Sequence, residues 1–127
     1  MNKALRILTA LPAVLFLATS VRWLVDPEGA AATIGMPLLD GLARSSQIGD
    51  LGAFFLAAGS MLLLGVITLQ REWFYGAALL FGGAAVFRVL AWAAQDAALA
   101  TPMIVVEVVV TLLPLATALT SERPHPA

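Results

Sequence analysis

Four predominantly apolar runs, each about the length needed to cross a bilayer, constrain this chain more than anything else in it. They lie near Ala4 to Val25, Ile48 to Leu69, Trp73 to Ala94 and Pro102 to Thr120. Leu51 to Leu69 contains no charged residue. A hydrocarbon core about 30 Å thick takes roughly 20 apolar residues in a helix. Strands of a membrane barrel would alternate apolar and polar residues, so continuous apolar runs select helices. Composition agrees: 61% of the residues are hydrophobic and 12% are charged, where a soluble domain carries about 25% charged residues. Mean hydropathy is +0.94. The expected fold is all-α, an integral membrane four-helix bundle forming one domain over residues 1–120, with a bilayer as its solvent.

Local signals fill in the connections. Asp26-Pro27-Glu28 reads as the cap and first turn of a short helix running from Pro27 to Ile34, stopped by Gly35 and followed by Pro37. This helix is Ala-rich and is expected at the membrane surface. Asp40 is placed to cap a polar extension leading into the second span. Thr101-Pro102 reads as the cap and first residue of the fourth. Ser121 to Ala127 is expected to be a disordered tail. The first run also resembles a signal peptide, with small residues at Ala18-Thr19-Ser20. It continues through Val21, Trp23, Leu24 and Val25, which suits a retained span. Lys3, Arg6, Arg71 and Arg123 fall on one side of the membrane and Arg44 on the other, with Arg22 near that boundary. This asymmetry predicts that both termini are cytoplasmic.

Several chemistries have no support. A net charge of −1 offers no basic surface for nucleic acid. The absence of cysteine excludes disulfides, thiolate metal sites and thiol redox chemistry. The single histidine, His125, lies in the Pro-rich tail. Neither a nucleophile–base pair nor a metal set nor a cofactor fingerprint is present. Gly82-Gly83 lacks the strand-to-helix context of a phosphate loop and reads as a helix-contact notch. Together with Gly49, Gly52, Ala53, Gly59 and Ala84 it supplies small residues for close helix contacts.

Charges inside the apolar runs mark the candidate site. Arg88 and Glu107 sit about 10 Å and 8 Å inside the spans that flank one short hairpin, at a 1.5 Å rise per residue. They are therefore expected to meet. Asp50 and Arg22 enter at the same end of the second and first spans, so two positive and two negative residues are predicted to share one layer. Gln47, Gln95 and Thr111 lie on the corresponding faces, and Pro114 frees the carbonyl of Val110 beside them. Such a cluster can fix helix register, or it can hold a ligand or a proton. Arg22 alone can snorkel to the headgroups, and Asp50 can be solvated at the interface. Asp96 reads as a hairpin residue. Trp23, Trp73 and Trp92 read as belt or contact aromatics.

Asp26-Pro27, Gly35, the Gly-rich stretch from Gly49 to Gly59, Arg88, Asp96, Pro102 and Glu107 together resemble the four-helix bacterial membrane proteins grouped as domain of unknown function 4345, which are similar to DoxX-like proteins. Phe87 and Ala97 stand where that pattern has glycine. The resemblance implies a four-helix inner-membrane bundle and hints at membrane redox or quinone-linked assemblies. It brings no established activity. Two main readings of function follow from the residues. The first is a non-catalytic accessory or assembly subunit that associates with other membrane proteins or with itself. The second is a binder of a small amphipathic or anionic ligand, a lipid or quinone, at Arg88 and Glu107. A proton or ion pathway ranks third, because the opposite halves of the spans carry no further ionisable residues.

Overall fold

The computed structural model describes residues 2–120 and is helical throughout its ordered elements. The helices are α1 (Lys3–Val25), α2 (Pro27–Thr33), α3 (Gly41–Thr68), α4 (Arg71–Ala94) and α5 (Thr101–Thr120). Four of them, α1, α3, α4 and α5, are long and apolar enough to cross a membrane. They run up, down, up and down, and each packs on the next around a ring, with α5 returning to α1. The contact between α1 and α3 is the most extensive and that between α1 and α5 the thinnest of the four. One end of the bundle carries α2 and the α4–α5 hairpin; we call it the hairpin end. The other carries the start of α1 and the end of α5. The expected tail, with His125 and Arg123, lies outside the described residues.

Helix boundaries follow local chemistry. Asp26 caps α2: its Oδ1 accepts from the Gly29 backbone N–H at 3.2 Å. Gly35, at φ +73, closes the helix in a Schellman arrangement. There the Met36 N–H reaches the Ala31 carbonyl at 3.0 Å and the Gly35 N–H reaches that of Ala32 at 3.1 Å. α3 starts at Gly41, seven residues before the apolar run at Ile48, so the polar extension is helical. Asp40 precedes it but makes no side-chain cap; its carboxylate takes Arg44 Nη2 at 3.1 Å instead. Thr101 is already helical and Pro102 is the second residue of α5. Its missing N–H falls among the four amides that lack an intrahelical partner in any case.

Two linkers turn on residues in the left-handed region. Leu69, at φ 60, ends α3 and leaves Leu69 and Gln70 as the whole connection to α4. Asp96, at φ 55, turns the chain out of α4. Aspartate tolerates this conformation; leucine does so at a cost of about 1 kcal/mol or more.

The core is made of small and aromatic residues. Ala13, Ala58, Leu62, Phe74, Ala77 and Ala118 are buried at its centre. Phe16 lies 4.7 Å from Phe81 between ring centroids, and Phe54 meets Phe81 edge-on at 5.4 Å. At the crossing of α1 and α3, a Cβ on Gly59 would stand 2.9 Å from the Leu17 backbone N and 3.0 Å from the Ala13 carbonyl. Backbones approach this closely only where a side chain is absent. By contrast, Gly49 and Gly83 face open space, so these two glycines do not serve the contacts expected of them.

At the hairpin end, Trp23 is 0% exposed. It packs under Ala30 and Ala31 of α2 and beside Ile48 and Leu51 of α3. Trp23 is therefore a core residue that seats α2, not a belt aromatic. Trp92, at 52% exposure, has the setting of a belt residue.

Candidate functional site

The α4–α5 hairpin joins two antiparallel neighbours, which puts residues equally far from the turn at one level. Arg88 lies about 9 Å below the end of α4, and Glu107 about 9 Å below the start of α5, at 1.5 Å per residue. They meet: Arg88 Nε donates to Glu107 Oε1 at 2.6 Å. Glu107 faces the bundle interior and its side chain is 10% exposed, whereas that of Arg88 is 33% exposed. One step down α5, the Thr111 hydroxyl donates to the Glu107 backbone carbonyl at 2.6 Å. Thr111 also sits against Gly82 of α4, whose Cβ position lies 3.4 Å from its methyl group. Thr111 thus belongs to the helix contact that holds the pair in register, and it bonds the backbone of Glu107, not its carboxylate.

The pair is incompletely satisfied. Glu107 Oε2 is buried and has no hydrogen-bond partner. Arg88 carries five N–H donors; only Nε bonds another described residue, and its terminal NH₂ groups bond none. The site is therefore a fixed ion pair with one spare acceptor inside the bundle and spare donors on the more exposed side.

The predicted four-charge layer does not form. Arg22 Nε pairs with Asp26 Oδ2 at 3.3 Å, one turn further along its own chain. Both side chains are about half exposed and serve the α1–α2 corner. Asp50 is exposed and has no polar partner among the described residues. Both residues share a level with the hairpin end but lie off the buried faces of their helices. Gln47 is buried, yet it works elsewhere. Its Oε1 accepts from the Leu39 N–H at 2.9 Å and its Nε2 donates to the Pro37 carbonyl at 3.0 Å. It pins the 34–40 linker to α3 and supplies nothing to Arg88 or Glu107. Gln95 is the exposed C-cap of α4, and its backbone N–H closes on the Ala91 carbonyl at 2.9 Å.

Two polar contacts at the opposite end escaped the sequence analysis. Thr9 and Thr117, both 0% exposed, bring their hydroxyls to 3.0 Å across the thin α1–α5 contact. Each hydroxyl also lies within hydrogen-bonding distance of a carbonyl four residues back, so one hydroxyl donates across the contact while the other donates to its carbonyl. Arg6 Nε donates to the Val66 carbonyl at 3.1 Å, satisfying an acceptor in the last turn of α3. The sequence signal was weak: Thr9 lies six residues inside the start of α1 and Thr117 three residues inside the end of α5, and no hairpin joins the two helices to fix their relative level.

These polar groups leave the lipid-facing sides almost wholly apolar. Leu11, Leu24, Leu79, Phe87, Leu112 and Leu119 are each more than half exposed. Such surfaces belong in hydrocarbon, and the protein is a multi-pass membrane helix bundle. Compared with known proteins, the chain matches no family model, no curated protein and no solved structure.

Proposed function

We propose that the chain is a small non-catalytic integral membrane protein, an accessory or assembly subunit of a larger inner-membrane complex, with both termini cytoplasmic. The observation that carries this reading is the distribution of its exposed side chains. Every spanning helix presents large apolar residues outward, and the described connections between spans are short. Recognition surface is then available chiefly inside the bilayer, where association relies on side-chain packing and a few polar contacts. Purification from native membranes in mild detergent should return a stoichiometric membrane protein companion. Arg88→Met with Glu107→Leu should leave that companion bound, because here the pair serves register alone. The reading fails if the chain purifies without a stoichiometric companion.

A second reading has its own support. Glu107 Oε2 and the Arg88 terminal groups are unused, and a head carrying both donors and acceptors would use them. That favours a small amphipathic or anionic ligand, a lipid or a quinone. Mass spectrometry of the purified protein should then find one bound molecule that the double substitution releases. An empty wild-type protein would remove this reading.

A further inference from the structure

Two buried side-chain atoms have no hydrogen-bond partner among the described residues: the Trp23 indole Nε1 and Glu107 Oε2. Their chemistry is complementary. The indole N–H can only donate, and a carboxylate oxygen can only accept. A buried polar atom without a partner is costly, a charged one most of all. Trp23 is 0% exposed and Glu107 8%, so neither reaches bulk water for relief.

Both atoms belong to one end of the bundle interior. The Thr9 and Thr117 hydroxyls, 3.0 Å apart, fix the relative level of α1 and α5. Counted from there at 1.5 Å per residue, Glu107 stands about 15 Å up α5 and Ser20 about 16 Å up α1. Trp23 and Met103 both stand about 21 Å up. The 30–36 segment touches both of these: Trp23 packs under Ala30 and Ala31, and a Cβ on Gly35 would stand 3.3 Å from Met103 Cε. That segment therefore roofs the space between α1 and α5, one turn above Ser20 and Glu107. Helical side chains lean toward the N-terminus of their own helix. In this antiparallel pair Trp23 leans away from the roof and Glu107 leans toward it, so the two orphaned atoms converge. Ser20 lies on the buried face of α1, one turn from Trp23. Its hydroxyl donates to the Leu17 carbonyl at 2.6 Å, which leaves its oxygen free to accept.

We propose that Trp23, Ser20 and Glu107 bind one buried water beneath the 30–36 segment. Its oxygen accepts from Trp23 Nε1, and its two hydrogens go to Glu107 Oε2 and Ser20 Oγ. Three bonds are typical of a buried water, which is held where polar groups have no other partner. An alcohol has one hydroxyl hydrogen and leaves one of the two acceptors unserved, so the balance of donors and acceptors selects water. The two oxygens of Glu107 then have separate tasks: Oε1 takes Arg88 Nε at 2.6 Å, and Oε2 takes the water. This goes beyond both functional readings, and an amphipathic ligand at Arg88 has to displace the water to reach Oε2.

The test uses the full chain with ¹⁵N-labelled indoles in phosphatidylcholine bilayers, observed by magic-angle-spinning NMR. Trp73→Phe and Trp92→Phe assign the indole N–H signals. Trp23, although buried, should lie at the downfield position of a bonded N–H and receive magnetisation from water protons. Glu107→Leu, alone or with Arg88→Met, removes an acceptor that holds the water. Either variant should abolish the transfer and move the Trp23 signal upfield, while an unmoved Trp73 signal shows that the bundle is intact. If one variant fails to fold, the other carries the test. A Trp23 signal at the unbonded position with no transfer from water, or a transfer that survives loss of Glu107, overturns the proposal. Transfer from the carbon-bound protons of an organic molecule overturns the water assignment and leaves the ligand-binding reading standing.

Discussion

Removing Arg88 should damage this bundle more than removing Glu107, and removing both should do little. Arg88→Met strands a carboxylate that is 10% exposed, already holds one orphaned oxygen and faces the interior of the bundle. Breaking a buried pair from this side costs about 3–5 kcal/mol. Glu107→Leu strands a side chain that is 33% exposed and whose long stem can swing its head toward the lipid headgroups. That change should cost about 1–2 kcal/mol, because snorkelling recovers most of the solvation. Replacing both by apolar residues of similar volume should bring stability back to within about 1 kcal/mol of the parent, as for other buried pairs exchanged for hydrocarbon. The coupling energy is then about the cost of the Arg88 single change, and the singles are strongly non-additive. Reversible unfolding of the purified protein in mixed micelles of mild detergent and dodecyl sulfate, followed by circular dichroism, measures all four corners of the cycle. Equal costs for the two singles would refute the exposure argument. A double variant as unstable as the sum of the singles would refute the pairing itself.

Three further outcomes follow from the same structure. Gly59→Ala should destabilise by about 2 kcal/mol or more, because its Cβ meets backbone atoms at about 3 Å, while Gly49→Ala, facing open space, should be neutral or gain up to about 1 kcal/mol of helix propensity; thermal unfolding of the two variants side by side separates them. Gln47→Leu should release the linker it pins, costing about 1–3 kcal/mol for the backbone groups left unpaired, and hydrogen exchange should rise over residues 36–40 with little change in α4 and α5. Leu69→Gly should relieve the left-handed strain at φ 60 and stabilise by up to about 1 kcal/mol, seen as a later dodecyl sulfate midpoint; a loss of stability there would mean that the Leu69 side chain holds the α3–α4 turn.

Much of the architecture was legible because hydrocarbon imposes a length. Runs of about 20 apolar residues with short polar breaks leave one reading, and each span was placed within a residue or two except the start of α3. There the sequence changes solvent, not conformation: residues 41–47 are too polar for the bilayer yet continue the helix beyond it. Asp26 and Gly35 were legible as a cap and a stop because each has a stereochemical task that few residues perform. Arg88 and Glu107 were legible because a hairpin fixes the relative level of its two arms. Level is only one of two coordinates, however. Arg22 and Asp50 reach the right level but point the wrong way round. Arg22 sits one residue, or about 100°, from the buried Trp23, and Asp50 lies about 100° round α3 from the face that carries Ala58 and Leu62. The role of Gln47 was hidden for a related reason, since its spacing from Asp50 suggests a shared partner in the core, whereas its amide matches the backbone of a linker that only the folded chain brings near.

The phenylalanines of the core, joined by Phe55 against Phe16 and Phe54, have an electrical consequence. Phe16, Phe54, Phe55 and Phe81 interlock across the middle of the bundle, between the carboxylate of Glu107 near one rim and the threonine hydroxyls near the other. This septum offers a hopping proton no oxygen to land on. Any proton that Glu107 took up would have its shortest route through the rim beside it, with the phenylalanine layer closing off the other.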